Sequence, residues 1–174
     1  MVKVITTLIL TLVTNILYSQ STFDKFDGPE DITTVIVNKK MFEMMSKVKA
    51  NDKETQQYVN LLKKLDNLKV FITSSSKQTA EMRATADKYL KTAGMDELMR
   101  ISDGGKNVKI YMRSGANDSI VKELFMFIEG NAKDNETVLF SLTGNFNLDE
   151  ISALTEQMNL PGGDNLKKAS KGNK

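Results

Sequence analysis

Apolar and polar residues alternate along Lys106–Arg113: Val108, Ile110 and Met112 fall on one side of an extended chain, Lys109, Tyr111 and Arg113 on the other. Ile120–Ile128 is apolar on both sides, Ile120, Leu124, Met126 and Ile128 opposing Val121, Phe125 and Phe127, which marks a strand buried on two faces and the candidate centre of a sheet. Thr137–Thr143 repeats the pattern, with Val138, Phe140 and Leu142 against Leu139. Between these runs lie Asp103-Gly104-Gly105-Lys106, Ser114–Asp118 and Gly130–Asn135, all rich in residues that accept turn geometry. With Met95–Ser102 as a further strand, the stretch Met95–Thr143 predicts an antiparallel meander.

Upstream, Ile32–Val37 is rich in β-branched residues and Leu68–Ile72 is a second apolar run, so both predict strands. Lys39–Val48 has helical spacing, with Met41, Met44, Met45 and Val48 on the face expected to be buried. Asn51-Asp52 interrupts that pattern and Glu54–Leu65 resumes it, as two helices or one kinked helix. Lys77–Ala93 is a helix whose buried line is Met82, Ala86, Tyr89, Leu90 and Ala93, stopped by Gly94 in a left-handed cap. Phe23 and Phe26, three apart before Gly28-Pro29, are expected to cap the core. Asn147 with Glu150 three residues on is a capping box, and Phe146 can staple onto Ile151 at the start of a last helix with Leu154 and Met158 on its inner face.

The order β-α-β-α-β-β-β-β-α predicts an α+β fold of two layers, a mostly antiparallel sheet with helices on one face. Residues 20–160 form a single domain. The segment 161–174 is dominated by Lys, Asn and Gly, has little to bury, and reads as a disordered basic tail.

Residues 1–19 change the picture of where the chain works. Lys3 precedes the apolar run Val4–Leu17, and Ser19 supplies a small residue at its end, which predicts a secretory signal peptide cut near Ser19–Gln20 and a protein that is exported, periplasmic or extracellular. An uncleaved anchor is the alternative; after removal of the leader no stable membrane span is expected. The chain contains neither Cys nor His. Without Cys, it suits an envelope protein held by packing rather than a disulfide-stapled scaffold. Taking away Lys3 and the tail leaves 19 basic against 21 acidic residues, and so no basic stripe for nucleic acid.

The lack of His removes Ser-His-Asp and Cys-His catalysis and His-ligated zinc. Ser74-Ser75-Ser76-Lys77 carries a Ser-x-x-Lys spacing in which a helix turn brings the Lys77 amine to the Ser74 hydroxyl, the basis of an alternative reading as a Ser/Lys-type hydrolase. Its companion motifs are missing, and Ser75 with Gln78 is better explained as a helix cap. Met41, Met44 and Met45 could be soft copper(I) ligands, but core filling is the stronger reading. No catalytic residue, cofactor or metal site is predicted.

Phe23–Phe26, Thr34–Met45, Lys69–Ile72, Lys109–Met112, Glu123–Met126 and Leu142–Leu148 together resemble the domain-of-unknown-function family 4252, from about Phe23 to Met158. The resemblance implies a small exported protein of Bacteroidota-type bacteria, an envelope address and a link to envelope stress signalling. Many members are lipoproteins, and this chain departs from them in lacking a lipid-accepting Cys. The family supplies no catalytic residues. In such a bacterium Asp118-Ser119-Ile120 fits a short O-glycosylation pattern, making Ser119 a candidate acceptor.

These observations favour a non-catalytic binding or regulatory module of the envelope, acting on an unknown envelope protein or by self-association. If helices cover one face of the sheet, large side chains must emerge on the other. Tyr111, Phe125, Phe127 and Leu139 are therefore the candidate interaction surface.

Overall fold

A computed structural model describes residues 22–117, 119–130, 136–158 and 161–171; the segment 1–19, read above as a signal peptide, lies outside them. Six strands, β1 (Thr33–Asn38), β2 (Leu65–Thr73), β3 (Asp96–Asp103), β4 (Lys106–Ser114), β5 (Ile120–Glu129) and β6 (Thr137–Asn147), form one antiparallel sheet in the order β1-β2-β6-β5-β4-β3. The helices are α1 (Lys39–Met45), α2 (Lys53–Leu62), α3 (Ser76–Thr92), α4 (Ile151–Met158) and α5 (Gly163–Lys171). The α+β class and the antiparallel meander stand as expected, with β5 and β6 in the middle. Among the described residues no helix is long and apolar enough to cross a membrane.

Local chemistry sets the element ends. Asp52 accepts the Thr55 N–H at 2.8 Å and the Thr55 hydroxyl at 2.7 Å, so α2 starts afresh and α1 and α2 are separate helices. Asn38 does the same for α1, taking the Met41 N–H at 3.0 Å. The Asn147 N–H donates to Glu150 at 2.9 Å, the reciprocal half of a capping box. Gly144 is set by space: a Cβ there would collide with the Lys64 carbonyl oxygen, where the α2–β2 junction crosses β6.

The expectation of helices on one face is corrected. β2 and β3 lie on opposite sides of β6, β5 and β4, so the connection between them must traverse the sheet, and α3 makes that crossing. It covers a face carrying Phe71, Phe125, Phe127 and Leu139, together with Phe23 and Phe26 of the N-terminal turn. The opposite face carries Leu68, Val70, Ile110, Met126 and Phe140 and is covered by α1, α2, α4 and α5. The domain therefore has three layers.

Two further expectations change. A β-bulge between Val121 and Glu123 shifts the alternation, so Val121 joins the face of Leu124 and Met126 instead of opposing them. The segment read as a disordered tail contains α5, whose Leu166 is wholly buried and whose Ala169, one turn on, is buried beside it. Gly162 makes the approach, at a φ of 76° and so close to Met126 and Ile128 that a Cβ would strike their side chains.

Candidate functional site

Three places carry unusual side chains: a buried acid under α3, a cleft beside α3, and an apolar corner at the β1 edge. Glu123 points into the α3 side of the sheet and is fully buried. Its carboxylate accepts the Tyr89 hydroxyl at 2.6 Å, Arg113 Nη2 at 2.9 Å and the Ser141 hydroxyl at 3.0 Å. Regular alternation with Phe125 puts Glu123 on the α3 face opposite Arg113, and the bulge falls just before it, so only Val121 changes sides. Burying a carboxylate is costly unless it is paired and hydrogen-bonded, and here it is both. Phe23, Tyr89 and Phe125 pack over it, the Phe23 and Tyr89 rings 5.0 Å apart edge to face and Phe23 stacked on Phe125 at 5.7 Å. Closed off in this way, the acid orients α3 on β5 and offers nothing to a dissolved substrate.

The predicted interaction surface belongs to this same layer, and the structure corrects it. Phe125 and Leu139 are completely buried and Phe127 nearly so, beneath α3 and the N-terminal turn. Only Tyr111, tilted against Phe125 at 6.5 Å, is half-exposed. Burial, with a hydrogen bond to Glu97 adding to it, raises the Tyr111 phenol above its ordinary value. The rings are hidden because α3, in crossing from β2 to β3, lays Met82, Ala86 and Tyr89 over this face.

Beside α3 a cleft of about 390 Å³ opens toward the β3–β4 hairpin, with Arg83 and Asp87 on one wall, Arg100 and Lys109 on the other, and Phe127 among its lining residues. Both guanidinium groups already hold carboxylates. Arg83 forks onto Glu129 at 2.8 and 2.5 Å, and Arg100 onto Glu97 at 3.1 and 2.6 Å. Those contacts raise both arginines and lower Glu97.

The corner was missed by sequence reasoning. Val35, Ile36, Met41, Met44 and Val48 are the exposed large hydrophobic residues among those described, each 41% to 55% accessible, and all lie within fourteen consecutive positions. Met41 and Met44 are thus not core, as their spacing suggested; Phe42 takes the buried position, and Met45 is only partly covered. α1 packs on β1 and β2, and β1 is the last strand of the sheet, so strand and helix share this edge. The signal that could have found it is a helix face offering both Phe42 and a methionine line, of which only one can turn inward in a seven-residue helix.

Ser74 and Lys77 are both exposed, and neither lines the cleft. Ser75 caps α3 by accepting the Gln78 N–H at a long 3.5 Å. Ser119 is exposed in the β4–β5 turn, its N–H donating to Asn117 Oδ1 at 3.0 Å, while its neighbour Asp118 lies outside the described residues.

Searches of curated proteins and of solved structures returned no match. The family profile described as "Domain of unknown function (DUF4252)" matches residues 26–154, from the N-terminal turn through both halves of the sheet to α4, and the chain belongs to that family.

Proposed function

We propose that this protein is a non-catalytic module of the cell envelope that binds or regulates by surface contact, in keeping with a role in envelope stress signalling. The observation that carries the reading is the corner of Val35, Ile36, Met41, Met44 and Val48, left accessible although the same domain buries large side chains on both faces of its sheet. Apolar residues gathered on one edge mark a contact surface far better than the same residues scattered singly. The envelope address rests on the charged start and apolar run of residues 1–19, which are built like an export signal.

The test is site-specific photo-crosslinking in cells. A photoreactive side chain at Met44 should give protein adducts in the envelope fraction, and one at Lys88, exposed on the outer side of α3, should not. Equal adduct patterns from the two positions would count against the corner, and recovery of the protein in the cytoplasm with Met1 still attached would count against the address.

A further inference from the structure

We propose that two copies of this chain pair antiparallel through β1, joining their sheets edge to edge about a twofold axis at Val35. The proposal rests on the reading of the β1 corner as a contact surface and names what occupies it.

The two edges of the sheet are built differently. β3 carries Asp96, Glu97, Arg100 and Asp103, and its register slips at a bulge between Glu97 and Met99. Charges and a bulge are how an edge is protected from pairing with another chain. β1 reads Thr-Thr-Val-Ile-Val-Asn, with no charge, no proline and an unbroken register against β2. Among the described residues no strand pairs with its outer side. Val35 opposes Val70 and Ile36 opposes Lys69, so one exposed apolar residue stands on each face of this open edge.

The flanks select the occupant. Glu30 and Asp31 precede the strand, Lys39 and Lys40 follow it, and the four are exposed and symmetric about Val35. Antiparallel pairing centred on Val35 brings the acidic turn Glu30-Asp31 before β1 of one copy to the basic start of α1, Lys39-Lys40, of the other, once at each end of the seam. Parallel pairing would set like charges together. A twofold axis perpendicular to the sheet keeps both α1 helices on one face, so the methionine surfaces of the two copies flank the seam together. Lys39 now holds Asp66 at 2.9 Å and Lys40 holds Glu43 at 3.9 Å, exposed pairs that exchange at little cost, while Asp31 Oδ1 accepts from Gln78 at 2.9 Å, so Glu30 and Lys40 carry the cross-seam attraction. The new contact would combine main-chain ladder bonds with complementary charge.

Sedimentation velocity over a concentration series, on purified protein with its native N-terminus, tests the pairing. The wild type should show a concentration-dependent dimer. Ile36→Lys, which adds the missing edge charge, should weaken it by at least about tenfold with unchanged circular dichroism. Glu30→Lys and Lys40→Glu should each weaken it as well, because each sets like charges across the seam. Mixing those two variants should restore a heterodimer, since both cross-seam contacts become complementary again. A wild type that stays monomeric throughout, a dimer indifferent to Ile36→Lys, or a mixture no tighter than its components would overturn the proposal. A monomer that still gives adducts with a different envelope protein at Met44 would overturn the pairing while leaving the contact-module reading standing.

Discussion

The Tyr89 hydroxyl reaches the buried Glu123 carboxylate at 2.6 Å, a polar tie between α3 and the strand beneath it. Tyr89→Phe removes that donor while leaving Arg113 and Ser141 on the acid, and should lower stability by about 1–3 kcal/mol. Glu123→Ala leaves Arg113 without its carboxylate and opens a gap under the rings, so it should cost more, about 3–5 kcal/mol. Urea denaturation midpoints measure both; a Tyr89→Phe protein as stable as wild type would show that the tie contributes nothing.

Leu166 is wholly buried in α5, so Leu166→Ala should cost about 2–5 kcal/mol, whereas Lys168→Ala on the exposed side should stay within about 0.5 kcal/mol. Thermal melts that do not distinguish the two would place Leu166 outside the core.

The cap on α2 makes stability depend on pH. Hydrogen bonds from the Thr55 backbone and hydroxyl hold the Asp52 carboxyl below its usual value. A lowered folded-state value means that the contribution is present above the unfolded-chain value and is lost as pH falls through the folded one. Asp52→Ala should therefore be less stable than wild type at neutral pH, with the gap closing in acid. A difference constant from neutral pH down to pH about 2 would contradict the charge-assisted cap.

We propose that Ser119 carries an O-linked sugar in the native host. It is exposed in a hairpin turn, where a sugar can be accommodated. Native protein should have an intact mass above that of the polypeptide, and Ser119→Ala should remove the excess; a wild-type mass equal to the bare chain would end the idea.

Much of the fold was legible because short-range signals decide it. Alternation at Val108, Ile110 and Met112 placed β4, and Gly94, Gly104 and Gly105 stand at positive φ where a helix cap and a hairpin turn were expected. What escaped was set by the route of the chain between distant strands. Nothing near Phe125 states that β2 inserts beside β6, yet that insertion sends α3 over the Phe125 face and converts a predicted surface into core. In α5 the apolar signal is only Leu166 and Ala169 amid lysines, too sparse to outweigh composition until the facing surface of the sheet is known. The candidate site shifted for the same reason: Phe42 and the methionines compete for one inward direction, and the choice is made by packing beneath α1.

The insertion of β2 beside β6 also governs the order in which this molecule can assemble. β3 to β6 are joined by successive hairpins and can zip together from local contacts, whereas Val70 must wait for Phe140, seventy residues later, to close its ladder. A chain emerging N-terminus first from an export channel would hold β1 and β2 as an unfinished pair until nearly all of it had crossed. Docking of that pair onto β6 would then be the late, rate-setting step, and a cut anywhere between α3 and β6 would leave β2 and β6 on separate fragments, each without its ladder partner.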